Sequence, residues 1–323
     1  MKPSKMKSGI KKIADIVLKK TLGFDLKKIV EKEVEAKLSI IVPQLIDLHT
    51  GPIENRQSYH NNYQNPYENA GIFEDIKNQL VELNVPVKEE KIDIEDFEKW
   101  MNEFSEIQPF YKNGGDVFIE KCLEHYLNYK YLNISEKNVY IDFAAAGSPW
   151  ADILNKKNIK SYRLDLSYPD GINGINIGAD AANTKLPDEF CDVISMQCAY
   201  ECFMGNADVN FLSESSRILK KNGRFGIIPL YLDKTFFIST SPYCDSKNII
   251  IDDGAKKVWR DDQYKAPFSR HYSPEIFKER IFFKLPENMK GYVIYFKNMI
   301  DIMKHYKNQR IYCFFMLYCE KNK

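Results

Sequence analysis

Three aspartates, each closing a short β-rich run, are the residues best placed in this sequence to do chemistry. Asp142 opens the stretch Asp142-Phe-Ala-Ala-Ala-Gly-Ser-Pro-Trp150. Its small residues Ala144, Ala145, Ala146, Gly147 and Ser148 let backbone approach a bound group, and Ser148-Pro149 can cap a following helix. Asp165 closes the next run, close to the ~20-residue interval between a nucleotide loop and the carboxylate that accepts both ribose hydroxyls. Asp180-Ala181 closes the third and offers an acceptor to an adenine amino group. Small residues also serve plain helix-on-sheet packing, and any one of these acids reads equally well as surface charge. Three at successive strand ends point to a nucleotide site.

Such a row of acids requires a sheet whose strands run side by side. From Asn138 onward the sequence supplies one, in the runs Val139–Phe143, Tyr162–Leu166, Ile175–Ile177, Asp192–Met196, Arg224–Pro229, Tyr292–Phe296 and Ile311–Tyr318. Helical patterns alternate with them, which predicts an α/β fold with a mainly parallel seven-stranded sheet covered on both faces. Ser273-Pro274 opens a helix at Glu275–Arg280, and a short helix at Asn298–His305 joins the last two strands.

The front of the chain is helical in pattern. Ile72–Leu83, Ile94–Phe104 and Val117–Leu132 carry amphipathic spacing, separated by a charged linker at Val85–Lys91 and a turn at Asn113-Gly114-Gly115. Ahead of them, Ile10, Ile13, Ala14, Val17, Leu18, Thr21 and Leu22 form an apolar stripe flanked by lysines, which suits an anionic membrane surface. A second stripe, Leu26 to Ile41, suits a partner helix, including one from a second copy of the chain. Packing of both stripes on the protein itself is the plainer reading. The divisions expected are a basic helical leader over 1–50, a mostly helical cap over 51–132, and an α/β domain over 133–323 with an insertion at about 233–272.

Composition narrows the class. The chain has 323 residues, 44% hydrophobic and 28% charged, which excludes collagen-like and wholly disordered readings. Lys+Arg 46 against Asp+Glu 45 leaves +1, too balanced for a protein built to grip a phosphate backbone, so no nucleic acid partner is expected. The 7 cysteines include no C-x-x-C pair, and no second pair completes a tetrahedral set with Cys198 and Cys202, so no metal and a reducing, cytoplasmic setting are expected. A leader that docks on membranes would make that setting peripheral to the bilayer. No apolar run reaches the ~18 residues of a membrane span.

Taken in order, Tyr140-Ile-Asp-Phe-Ala-Ala-Ala-Gly-Ser148, Arg163-Leu-Asp165, Gly178-Ala-Asp-Ala181, Leu186-Pro-Asp-Glu-Phe-Cys-Asp-Val-Ile-Ser195 and Arg217-Ile-Leu-Lys-Lys-Asn-Gly-Arg224 resemble class I S-adenosylmethionine-dependent methyltransferases. The resemblance spans about 138–232 and implies a Rossmann-like domain that binds S-adenosylmethionine. It implies that Asp142, Ala144, Ala146, Gly147 and Ser148 cradle the methionine end, and that Asp165 with Leu166 holds the ribose. Asp180 and Ala181 would then meet the adenine, with Gln197 and Cys198 lining the pocket. The chain departs from the family at Ala144, Ala146 and Ser148, where glycines are usual, and at Gln197 and Cys202, where many relatives carry histidine.

Methyl transfer from a sulfonium is chiefly a matter of holding an acceptor in line, and a hydroxyl acceptor also needs a base. His271, in Phe268-Ser-Arg-His-Tyr272, is the first candidate and Glu201 the second; Arg270 offers a grip on an acceptor phosphate or carboxylate. His125 reads as a packing histidine, on a helix leading into the first strand. The expected function is methylation of a small-molecule, glycan or lipid-linked acceptor, at oxygen. The alternative is an inactive scaffold of the same fold that docks to a membrane or partner through the leader.

Overall fold

Strands buried on both faces read as nearly continuous apolar runs, and β2 (Val139–Phe143) does so except at Asp142: Tyr140, Ile141 and Phe143 have no exposed surface. The computed structural model describes residues 70–240, 249–259 and 267–322, together with Val34 and Lys37, both helical and exposed. The chain divides into two units, Met1–Gln57 and Ser58–Lys323. The apolar stripes of the leader and the Asn- and Tyr-rich stretch at 54–69 therefore lie outside the described residues, those two positions apart.

In chain order the second unit begins with α1 (Ala70–Glu82), β1 (Val87–Glu90), α2 (Ile94–Glu103), α3 (Gln108–Tyr111) and α4 (Phe118–Tyr131). After β2 come α5 (Trp150–Lys156), β3 (Lys160–Asn173), β4 (Asn176–Gly178), β5 (Cys191–Gln197), α6 (Ala207–Ile218) and β6 (Leu219–Ile228). Then follow β7 (Phe237–Thr240), β8 (Lys256–Trp259), β9 (Ser269–His271), α7 (Pro274–Arg280), β10 (Met289–Phe296), α8 (Met299–His305) and β11 (Phe315–Lys321). Local chemistry sets several of these boundaries. Asp93 accepts from the backbone N–H groups of Glu95 and Asp96 to start α2, and Ser273 accepts from that of Ile276 to start α7, with Pro274 in the first turn as expected.

The main sheet is eight-stranded, in the order β1-β10-β11-β6-β5-β2-β3-β4, and only β11 runs antiparallel to its neighbours. From β2 the chain steps to β3 on one side, and from β5 to β6 on the other, so right-handed crossovers place α5 and α6 on opposite faces. The expected fold class holds, with one strand more than the seven read from sequence. The extra strand is β1, which lies in the stretch read as a charged linker. Val87 to Glu90 pair with Val293 to Phe296, and the charged Lys88, Glu89 and Glu90 suit an edge strand open to solvent. The last strand also begins later than its apolar run suggested, at Phe315 rather than Ile311.

The insertion forms a second, three-stranded sheet in the order β8-β7-β9. The cap helices share the core of the main sheet: Phe73 of α1 stacks on Phe314 with ring centroids 3.7 Å apart, and Phe97, Trp100, Phe104 and Trp150 form one aromatic cluster. No described helix is long and apolar enough to cross a membrane.

At the edge, β3 continues past its tip and returns along β4, so that Ile177 is partnered by both Leu164 and Ile172. Gly178 makes this possible, because a Cβ there would stand 2.0 Å from the Pro169 carbonyl oxygen and 2.5 Å from that of Tyr168. Backbone cannot yield as a flexible side chain can. Gly178→Ala is therefore expected to cost about 1–3 kcal/mol in urea unfolding. A variant as stable as the wild type would show that the two backbones do not approach this closely.

Candidate active site

β2 sits at a switch point: the chain moves outward to β3 and β4, then crosses back to β5 on the other side of β2. Loops that diverge at such a point leave a crevice beyond the carboxyl ends of the strands. A cavity of about 330 Å³ lies there, lined by Ala144, Leu164, Asp165, Leu166, Ala179, Asp180 and Ala181 on one side and by Cys202, Phe203, Met204 and Ala207 on the other. A shallower hollow of about 600 Å³, bounded by Asp188, Arg217, Asn288 and Lys321, lies at the amino-terminal ends of β5 and β6, remote from the acidic tips. There Arg217 is paired with Asp188 and Glu214.

Within the crevice, Asp165 fastens the β2 loop. One carboxylate oxygen accepts from the Ala146 N–H at 3.1 Å and the other from the Ser167 N–H at 2.8 Å. Each oxygen keeps a further lone pair for a ligand hydroxyl. Tyr168 adds a second tie, its hydroxyl accepting from the Gly147 N–H at 3.0 Å. Arg163 binds the Ser148 carbonyl, Asp152 and Asn176, joining the loop to α5 and β4. The tight path of the loop needs left-handed backbone at Ala144 (φ 52) and Gly147 (φ 73). At Ala144 the Cβ makes that conformation costly, by about 1–2 kcal/mol. Asp180 is exposed at the cavity and accepts from the Ala182 N–H at 2.8 Å, leaving its second oxygen toward solvent or ligand.

Residues 114–227, from the end of the cap through β6, match the family model described as a methyltransferase domain. Over that stretch the chain is similar to a methyltransferase domain. Its fold is that of the class I S-adenosylmethionine-dependent enzymes, as the sequence resemblance implied. Among solved structures, the chain is similar to the Burkholderia thailandensis 1,6-didemethyltoxoflavin-N1-methyltransferase, solved with 1,6-didemethyltoxoflavin and S-adenosylhomocysteine. That match has 12% identity and a TM-score of 0.40, covering 74% of this chain and 94% of the other. It is also similar to an S-adenosylmethionine-dependent methyltransferase from Clostridium acetobutylicum, at 13% identity and TM-score 0.39, covering 68% and 98%. At such identities and TM-scores these likenesses say nothing of substrate. No curated protein matches the chain.

The crevice gathers only part of the sequence-derived set at its wall: Ala144, Asp165, Leu166, Asp180 and Ala181. Asp142 lies beneath the loop, buried, and accepts from the Ser195 hydroxyl at 3.4 Å; burial pushes its carboxyl up to about 7. Ser148 is buried next to it, its carbonyl held by Arg163. Gln197 turns toward Ser195 and His125, its Nε2 3.0 Å from the Ser195 Oγ and 3.3 Å from the His125 Nδ1. Cys198, at φ 48, places its sulfur 3.6 Å from Glu201 and 3.5 Å from the Tyr231 hydroxyl, and burial pushes the thiol up to about 12.

Glu201 is the second candidate base. It is buried on the turn after β5, one residue before the cavity-lining Cys202, and its Oε2 has no hydrogen-bond partner. Burial pushes its carboxyl up to about 7, so it exchanges a proton near neutrality. His271 requires correction. Strand β9 turns its ring inward, 4.3 Å from the Phe237 centroid and nearly parallel to it, with Tyr231 edge-on at 5.1 Å. The imidazole is fully buried and is not part of the cavity lining, whereas a base must be within hydrogen-bond reach of the proton it removes. Arg270 is likewise committed elsewhere: fully buried, it pairs with Asp208 at 2.8 Å and Asp252 at 2.6 Å and binds the Phe203 and Gly205 carbonyls, anchoring the cavity wall.

Phe203, Met204 and Ala207 of that wall were missed in the sequence, where their one signal is an apolar turn directly after a strand. Glu120, Glu124 and Cys313 bring their ligand atoms within 4.8 Å of one another. The cluster satisfies itself: Glu120 accepts from the Tyr312 N–H and the Cys313 thiol, and Glu124 pairs with Lys121 at 2.8 Å.

Raised carboxyl groups have a thermodynamic consequence. Asp142 and Glu201 hold protons in the folded state up to about pH 7, whereas unfolded carboxyls release them near ~4. The folded state binds more protons between those values, so its stability is greatest below that window and is lost as pH rises through about 7. Melting temperature is expected to fall between about pH 4 and 7 and then level off, with a smaller fall in Glu201→Gln. An equal slope in the variant would show that Glu201 ionises normally.

Proposed function

We propose that the protein transfers a methyl group from S-adenosylmethionine to a hydroxyl of a small-molecule, glycan or lipid-linked acceptor. The observation that carries this reading is the cavity of about 330 Å³ at the strand tips, whose apolar walls hold two acids, Asp165 and Asp180. Its size falls among small-ligand sites. The spare lone pairs of Asp165 suit the two ribose hydroxyls, and Asp180 beside Ala181 suits an adenine amino group. Leu166, Phe203 and Met204 supply apolar surface for the flat faces of sugar and base. The backbone at Ala144, Ala146, Gly147 and Ser148 would carry the amino-acid end, with Asp142 buried below.

When bound, the cofactor supplies an already activated methyl group, so the chain's own part is orientation, exclusion of water and proton removal. Glu201 is the residue suited to that proton. It precedes the lining Cys202 in the chain, and its carboxyl has an unpaired oxygen and is pushed by burial up to about 7. Cys198 and Tyr231 hold the other side of that carboxyl's surroundings in place.

Calorimetry with S-adenosylhomocysteine tests the cofactor. Binding by the wild type is expected, with affinity about 10- to 100-fold weaker in Asp165→Ala, the loss for hydrogen bonds to a charged group. No heat with the wild type, or equal affinity in the variant, overturns the reading. For the base, Glu201→Gln is expected to lower kcat by about 10²–10⁴ while cofactor affinity changes little. The wild-type rate should rise with pH through about 7 and level off as Glu201 loses its proton. A variant that keeps both rate and profile removes Glu201 from the reaction.

A further inference from the structure

His125 is buried in α4 and touches three separate parts of the molecule. Its Nε2 lies 2.9 Å from the hydroxyl of Tyr111, the last residue of α3, in the segment 105–117 that links α2 to α4. Its Nδ1 lies 3.3 Å from the Gln197 amide at the tip of β5. Its ring packs 5.0 Å from that of Trp150, the first residue after the β2 loop. With the Gln197 amide as donor, Nδ1 accepts, so a neutral ring carries its proton on Nε2 and donates to Tyr111. Burial favours that neutral ring, holding it so down to about pH 3.

Gln197 donates to Ser195, whose hydroxyl donates to Asp142. Asp142, Ser195, Gln197, His125 and Tyr111 thus form a chain of hydrogen bonds that runs from the strand end at the foot of the loop 144–149 to the segment 105–117. Its one member from the segment 105–117 is Tyr111.

We propose that His125 is a positioning residue that fastens the segment 105–117, through Tyr111, against the loop 144–149, so that this fastening holds the loop in its cofactor-binding shape. The effect on cofactor rests on the functional reading above; the fastening itself does not. A double-mutant cycle separates them. Tyr111→Phe keeps the aromatic ring and removes only the hydroxyl, so it remains informative if His125→Ala fails to fold.

In the cofactor-free protein, amide hydrogen exchange in 105–117 is expected to rise about 10-fold in Tyr111→Phe and in His125→Ala, and no further in the double variant. His125→Gln, which can still present an acceptor and a donor, should recover part of the protection. Unchanged exchange in Tyr111→Phe, or losses that multiply in the double variant, overturn the fastening. For the cofactor, the same variants should raise KM for S-adenosylmethionine about 10-fold with kcat within about twofold. A fall in kcat alone would overturn the link to cofactor binding. A wild type that binds no S-adenosylhomocysteine overturns the functional reading and that link together, while the exchange measurements still decide the fastening.

Discussion

A carboxyl group taken out of water must find hydrogen bonds, and the burial of Asp142 at the tip of the central strand is the constraint around which this site is arranged. It accepts from Ser195 on β5, whose hydroxyl also bonds that of Tyr140, two residues back on β2, and Ser148 of the loop above helps hold its charge. Each of these is itself buried and must be satisfied in turn, which draws in Gln197, His125 and Tyr111. The result is a polar layer inserted between the apolar body of the sheet and the crevice. Such a layer specifies one arrangement of the loop because alternatives would leave buried groups unpaired.

Above that layer the crevice combines two environments. Asp165 and Asp180 are open enough to accept hydrogen bonds from a ligand, whereas Glu201, next in sequence to the lining Cys202, is buried with one oxygen unpaired. The same residue type therefore offers an ordinary acceptor in one place and a group that ionises near neutrality in another. Environment separates the roles. The left-handed backbone at Ala144 shows how strongly the surroundings hold the loop, since alanine adopts it at a cost that glycine would not incur.

The insertion between β6 and β10 contributes architecture more than reacting groups. Arg270, Asp208, Asp252 and Arg280 form a buried ion network that also binds the Phe203 and Gly205 carbonyls, so the turn carrying Phe203 and Met204 is anchored from behind. His271 belongs to the aromatic filling of the same region, between Phe237 and Tyr231. A charged or imidazole side chain in an insertion is as useful to packing and anchoring as to a substrate.

What the sequence determined by itself was the order of elements and the three acidic strand ends. Apolar periodicity and small-residue loops are local signals, and β2 has the bounds its pattern suggested. Strand β1 escaped notice because an edge strand such as Val87–Glu90 needs no continuous apolar run. Tertiary structure alone decided which acids face the crevice. Asp142 and Asp165 look alike in sequence, yet one lies under the loop and the other lines the cavity. The surroundings of His271, stacked on Phe237, and of Glu201, buried with one oxygen unpaired, were set in the same way. Both depend on neighbours distant in sequence, and local pattern carries no record of them.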